Sequence, residues 1–196
     1  MERNKFFRLN VYEKLLDKYG KGGKLLDIAT GHGKFATLAA LKGYKVTAFD
    51  ARPDRIPFYL PNINWQVVNL KDFEFTGYDI INCLGIHYHL PLNEQFDLLG
   101  KINYTTVILD TFHVTDAVLK REKPITIDGY SGVERIEGTD LKSLKTKVKN
   151  AYDDLKNFCH TKESLLRLFN DFGFNVVEEA PGMVDDRNYY VLIPKN

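Results

Sequence analysis

The chain has 196 residues, 44% of them hydrophobic and 27% charged, a size and balance that give one globular domain able to fold without a metal or disulfide staple. Lys and Arg total 27 against 26 Asp and Glu, and a net charge of +1 offers no broad field for nucleic acid or a membrane surface. Cys83 and Cys159, the only two cysteines, exclude a disulfide framework; with no apolar run near the ~18 residues of a membrane span and no signal-peptide core after Met1–Lys5, the chain reads as cytoplasmic.

Phe6, Leu9, Tyr12, Leu15, Leu16 and Tyr19 recur at helical spacing, and Gly20 is placed to end that helix. The period then changes. Lys24–Ile28 and Lys45–Phe49 read as buried strands, with a helix over Lys34–Lys42 between them, stopped by Gly43. Trp65–Val68, Tyr78–Cys83 and Thr105–Leu109 continue the strands, and Leu92–Leu99 is a helix. A last helix covers Thr161–Phe172, with Thr161 to cap it and Gly173 to end it. Asn175–Glu179 and Tyr189–Ile193 are two closing strands, about nine residues apart across Pro181-Gly182, too close for a helical crossover and therefore antiparallel. The alternation predicts an α/β fold: a Rossmann-like, mostly parallel sheet of about seven strands, antiparallel at the end, with helices on both faces.

Only residues 123–158 break the rhythm. They read as an insertion at the carboxyl edge of the sheet, with Ile125–Ile127 and Val133–Ile136 forming a hairpin around Asp128–Gly132. Residues 1–196 are thus read as a single domain, whose substrate is covered by the N-terminal helix (1–20) and by this insertion.

The chemistry is concentrated in Leu25-Leu26-Asp27-Ile28-Ala29-Thr30-Gly31-His32-Gly33-Lys34-Phe35, a strand that runs through a glycine turn into a helix. Glycines let the backbone approach a ligand, and a helix N-terminus presents free N–H groups. Gly31-x-Gly33-x-x-Ala36 alone also fits a nicotinamide fingerprint. Asp27 argues otherwise, because it occupies a strand position that a dinucleotide fold gives to an apolar residue. Asp50, at the end of the second strand, can bind both hydroxyls of a ribose.

On these residues the chain resembles the class I S-adenosylmethionine-dependent methyltransferases. Asp27-Ile28-Ala29-Thr30-Gly31-His32-Gly33 matches their acid-x-Gly-x-Gly-x-Gly motif except at Ala29, which leaves less room beside the cofactor. Val46–Asp50 is similar to the family's second strand and ribose-binding acid. Val67–Phe73 resembles the segment flanking the adenine, with Asn69 where the family often has Asp. Tyr78–Pro91 resembles the fourth strand and its loop, and Phe172-Gly173-Phe174 the Gly-Phe pair before the sixth strand. The resemblance covers residues 24–110 well and 158–193 loosely. It implies S-adenosylmethionine as cofactor, held by Asp27, Ala29, Gly31, Gly33, Asp50, Ala51, Asn69, Leu70 and Cys83. Phe49 and Trp65 are read as core.

Three histidines, His87, His89 and His113, follow the fourth and fifth strands at the carboxyl edge, where open sheets bind ligands. A histidine at the position of His89 is frequent in the resembled family and can be a packing residue. His87 is this chain's own feature and the first choice for a general base, with His89 and His113 as fallbacks. A metal is not expected, since Asp110 is the only acid placed to join them. Lys142, Lys145, Lys147 and Lys149 read as a solvated face or a contact for an anionic substrate. His160, Arg187 and Tyr189 lie near the same edge, with no direction fixed by the sequence. The expected activity is methyl transfer to an O or N nucleophile of a small molecule. A non-catalytic cofactor-binding accessory protein and a nicotinamide-dependent oxidoreductase are the alternatives.

Overall fold

The computed structural model describes residues 6–60, 62–137, 155–182, 184 and 186–195. In chain order the large sheet is built from β1 (Lys24–Ile28), β2 (Lys45–Asp50), β3 (Ile63–Val67), β4 (Ile80–Leu84), β5 (Thr106–Phe112), β9 (Phe174–Pro181) and β10 (Arg187–Pro194). A smaller sheet comprises β6 (Ile125–Ile127), β7 (Tyr130–Ile136) and β8 (Lys156–His160). The helices are α1 (Phe7–Tyr19), α2 (Lys34–Leu41), α3 (Leu92–Ile102), a single turn α4 (Asp116–Leu119) and α5 (Lys162–Asp171).

The seven strands lie in the order β3-β2-β1-β4-β5-β10-β9. The first five are parallel, and β10 runs antiparallel to both β5 and β9. Chain order reverses between β1 and β4, so the carboxyl ends of these two strands form the switch point at which such sheets bind ligands.

Strict alternation along each strand splits the core in two. Leu26, Ile28, Ile81, Cys83, Val107, Leu109, Tyr190 and Leu192 face α3 and α5. Leu25, Ile80, Leu84, Ile108, Tyr189 and Val191 face α1 and α2, against Tyr12, Leu15, Leu16, Ala36 and Ala39. A strand covered on both sides reads as an almost unbroken apolar run. Phe49 is fully buried and stacks on Phe73, while Trp65 is half-buried and bonds the Leu60 carbonyl through its indole N–H (3.0 Å). The Thr161 hydroxyl caps α5 by accepting from the Ser164 N–H (3.2 Å).

The insertion differs from its expected form. β7 begins at Tyr130, so the hairpin turn is Asp128-Gly129 alone, with φ of 50° and 82°. Both residues in the left-handed region match a two-residue turn to the twist of the strands. β8 then pairs with β7, making the insertion a three-stranded sheet seated against α5 and the loop after β4. The four lysines from Lys142 to Lys149 lie outside the described residues. No helix among the described residues is long and apolar enough to cross a membrane.

Candidate active site

β1 ends in a turn that bends through the left-handed region three times, at Ala29 (φ 50°), Gly31 (55°) and Gly33 (68°). Gly33 is required on space as well, since a Cβ there would sit 2.5 Å from the Trp65 ring. At Gly31 a Cβ would meet nothing within 4 Å, so the residue serves the backbone angle and leaves the outer side of the turn open. The turn is tied down from both sides. The Thr30 N–H donates to the Phe49 carbonyl (2.8 Å), and the Thr30 hydroxyl to Asp27 Oδ2 (2.5 Å).

Asp27 is therefore a brace inside the fold, 1% exposed, with Asn82 Nδ2 donating to its second oxygen (3.2 Å). Burial pushes its carboxyl up to about 6, against the two side-chain hydrogen bonds that pull it down. Asp50 stands one strand over. Its Oδ2 accepts from the Gly31 N–H (2.9 Å) and its Oδ1 from the Arg52 N–H (2.9 Å), which fixes the carboxylate beside the glycine turn.

Ala51 is half-buried directly after Asp50. Asn69 Oδ1 accepts from the Lys71 N–H (3.1 Å) and starts the short turn Leu70–Asp72. Leu70 packs at the edge of the core. The side chain of Cys83 is fully buried in the α3–α5 core, where desolvation drives the thiol far above its ordinary value.

The three histidines separate. His87 points inward, 1% exposed, with Nδ1 3.3 Å from the Thr111 hydroxyl, Nε2 buried without a partner, and its ring 6.3 Å from that of His160. Burial pushes it down to about 3, which makes it a poor proton acceptor. His160 is also interior and fully bonded: Nε2 donates to Gln95 Oε1 and Nδ1 accepts from the Ser164 hydroxyl, each at 2.9 Å. His113 is half-buried, its Nδ1 has no partner, and burial lowers its pKa.

His89 is different. Its Nδ1–H donates to Glu137 Oε1 (2.8 Å), and that carboxylate also accepts from Asn157 Nδ2. An imidazole held this way carries its proton on Nδ1 and presents Nε2 as the acceptor. The partner comes from the insertion, 48 residues away, so the sequence carried no signal for the pair.

Beside these lies a group that sequence reading missed. Asp27, Asn82 and Asp110 occupy the α1 face of adjacent strands at their carboxyl ends, and Tyr12 and Arg8, one turn apart on α1, reach down to them. Asn82 Nδ2 donates to the Tyr12 hydroxyl (2.7 Å), and Arg8 Nη2 donates to Asp110 Oδ2 (2.5 Å). Arg187, at the start of β10, grips the same carboxylate through Nε (2.5 Å) and Nη2 (2.9 Å). Asp110 thus joins two arginines, not the histidines.

A family model described as a methyltransferase domain matches residues 2–179. The chain belongs to that family. The methyltransferase is 27% identical to a ubiquinone biosynthesis O-methyltransferase of Rickettsia bellii over 208 aligned residues, covering 96% of this chain and 83% of the relative. Two solved structures share its fold. One is the N-terminal domain of EvdMO1 with S-adenosylhomocysteine and D-fucose, at TM-score 0.69 and 16% identity over 95% of this chain and 81% of that one. The other is a 1,6-didemethyltoxoflavin N1-methyltransferase of Burkholderia thailandensis, at 0.67 and 12% over 95% and 77%. The strand order of the large sheet, with its antiparallel end, is the fold of these enzymes.

Proposed function

We propose that this methyltransferase uses S-adenosylmethionine and methylates an O or N nucleophile of a small molecule, with residues 1–196 working as a single catalytic domain. The observation that carries the reading is the Asp50 carboxylate fixed between two backbone N–H groups beside an open glycine turn. Each of its oxygens keeps lone pairs for a ribose hydroxyl, and the turn presents no side chain at Gly31 to obstruct the ligand. Asp27 holds the turn from beneath, and Ala51, Asn69 and Leu70 border the adenine. The solved relative that carries S-adenosylhomocysteine and the O-methyltransferase relative support the same cofactor and reaction class.

When bound, S-adenosylmethionine supplies an electrophilic methyl group on a good leaving group, so the protein needs no covalent intermediate. Its own contribution is to align the acceptor and take its proton. We assign the proton acceptor to His89 Nε2, with Glu137 keeping Nδ1 protonated and the ring in one orientation. An accessory protein would have no use for such a pair.

The test is transfer of radiolabel from methyl-labelled S-adenosylmethionine to a panel of small phenols, hydroxy acids and amines. His89→Gln is expected to slow single turnover by about 10²–10⁴-fold, with S-adenosylhomocysteine affinity held near wild type. A His89→Gln rate within about threefold of wild type would remove His89 from proton transfer, since a working base contributes far more than that.

A further inference from the structure

One buried amide joins the two elements on which the proposed base depends. Gln95, on α3, is fully buried, and its side-chain NH2 donates to two backbone carbonyls, those of Leu90 (2.9 Å) and Phe158 (2.7 Å). Leu90 directly follows His89 in the loop after β4, and Phe158 directly follows Asn157 on β8. Asn157 is the residue that donates to the Glu137 carboxylate. The Glu137 N–H in turn donates to the Leu155 carbonyl (2.8 Å), which extends the β7–β8 pairing to the residue that bears this carboxylate. The Phe158 N–H also donates to the Leu90 carbonyl (3.0 Å), so the loop of His89 and the strand beside Glu137 meet at Gln95.

The amide fits only one way round. Both hydrogens of its NH2 are used on the carbonyls, so Oε1 accepts, and the His160 Nε2–H is the donor that faces it (2.9 Å). That leaves His160 Nδ1 to accept from the Ser164 hydroxyl on α5 (2.9 Å), and Ser164 Oγ accepts in turn from the Ser131 N–H on β7 (3.0 Å). Burial pushes His160 down to about 3, so the ring is neutral and the Nδ1 lone pair is available. Each of these side-chain groups has its partners, and a fully satisfied buried network rigidifies what it joins. It runs from β7 through α5, β8 and α3 to the loop of His89.

We infer that Gln95, oriented by His160 and Ser164, is the positioning residue of the His89–Glu137 pair. It acts through the backbone, setting the spacing between the loop that carries the imidazole and the strands that carry the carboxylate. A hydrogen bond of 2.8 Å weakens steeply with misalignment, so a small shift of the inserted sheet releases the His89 Nδ1–H. The inference rests on His89 as the proposed proton acceptor and adds the group that keeps its Nε2 free to accept.

The test is the ring-nitrogen spectrum of His89 in the full chain labelled with ¹⁵N-histidine, at pH 8, above the ordinary ~6.5 of an imidazole. The His89 signals are identified by their loss in His89→Gln. In wild type Nδ1 is expected to resonate as a protonated nitrogen and Nε2 as an unprotonated one. Gln95→Met keeps the side chain's length and removes its hydrogen bonds. In that variant, folded by the criterion of a cooperative melt, the His89 signals are expected to shift toward those of Glu137→Ala, where the ring is released and its proton can move to Nε2. If Gln95→Met does not fold, Gln95→Met/His160→Phe is read in its place, since removing both partners of a buried bond costs a core far less than removing one. Wild-type His89 signals in either folded variant would overturn the inference, because Gln95 would then serve stability alone. A wild-type His89 that carries its proton on Nε2 would instead reject the base assignment beneath it.

Discussion

Ala29 stands at φ 50°, where a side chain costs roughly 1–2 kcal/mol relative to glycine. Ala29→Gly removes that strain but gives the unfolded chain more freedom, so the expected result in urea denaturation is a change between zero and about 1 kcal/mol of added stability. A marked loss would mean that the methyl group is packed. Asp50 is a sharper case. Asp50→Ala is expected to weaken S-adenosylhomocysteine by about 10–150-fold, the worth of about 1.5–3 kcal/mol in charge-assisted hydrogen bonds. Calorimetry giving unchanged affinity would take Asp50 out of the site. The residues of the glycine turn and Asp50 were legible in the sequence because their geometry is local: strand end, turn, helix start. His87 was not. Its place after β4 is readable, but only the packing of β8 and α5 over that loop decides that it points inward.

The elements of the large sheet and its main helices were legible, with ends within about three residues, since alternation and glycine stops set them; the single turn α4, too short to show a period, and β8, which lies inside the insertion, were missed. What the sequence could not supply is how α1 attaches. Its apolar stripe says that it packs, whereas Tyr12 bonding Asn82 and Arg8 bonding Asp110 fix where, across separations of 70 and 102 residues. Tyr12→Phe leaves one N–H of the buried Asn82 amide unsatisfied and is expected to cost about 1–3 kcal/mol. A denaturation midpoint equal to wild type would show that Asn82 re-pairs. The partner of His89 comes from the inserted sheet in the same way, so the chemistry of that histidine depends on an element whose position no local pattern encodes.

At the scale of the whole molecule, three buried groups tie stability to pH. His87 and His160 are both pushed by burial down to about 3, so between there and their ordinary ~6.5 the unfolded chain binds two protons that the folded one does not. Asp27, raised to about 6, acts in the opposite sense, since the folded chain binds its proton first. Over roughly pH 4–6 the balance is one proton in favour of the unfolded state, so stability is expected to fall by about 1.4 kcal/mol per pH unit on acidification. Asp27→Asn should steepen that slope and His160→Gln should flatten it, as read from denaturation midpoints at pH 7, 6 and 5. The claim on which the functional account rests is that the β1 turn and Asp50 receive an adenosyl ligand. Isothermal titration of the full chain with S-adenosylhomocysteine, NAD and NADP tests it most directly. Saturable binding of S-adenosylhomocysteine, without measurable heat from either nicotinamide dinucleotide, is the result the account predicts; binding of NAD or NADP with no response to S-adenosylhomocysteine would contradict it.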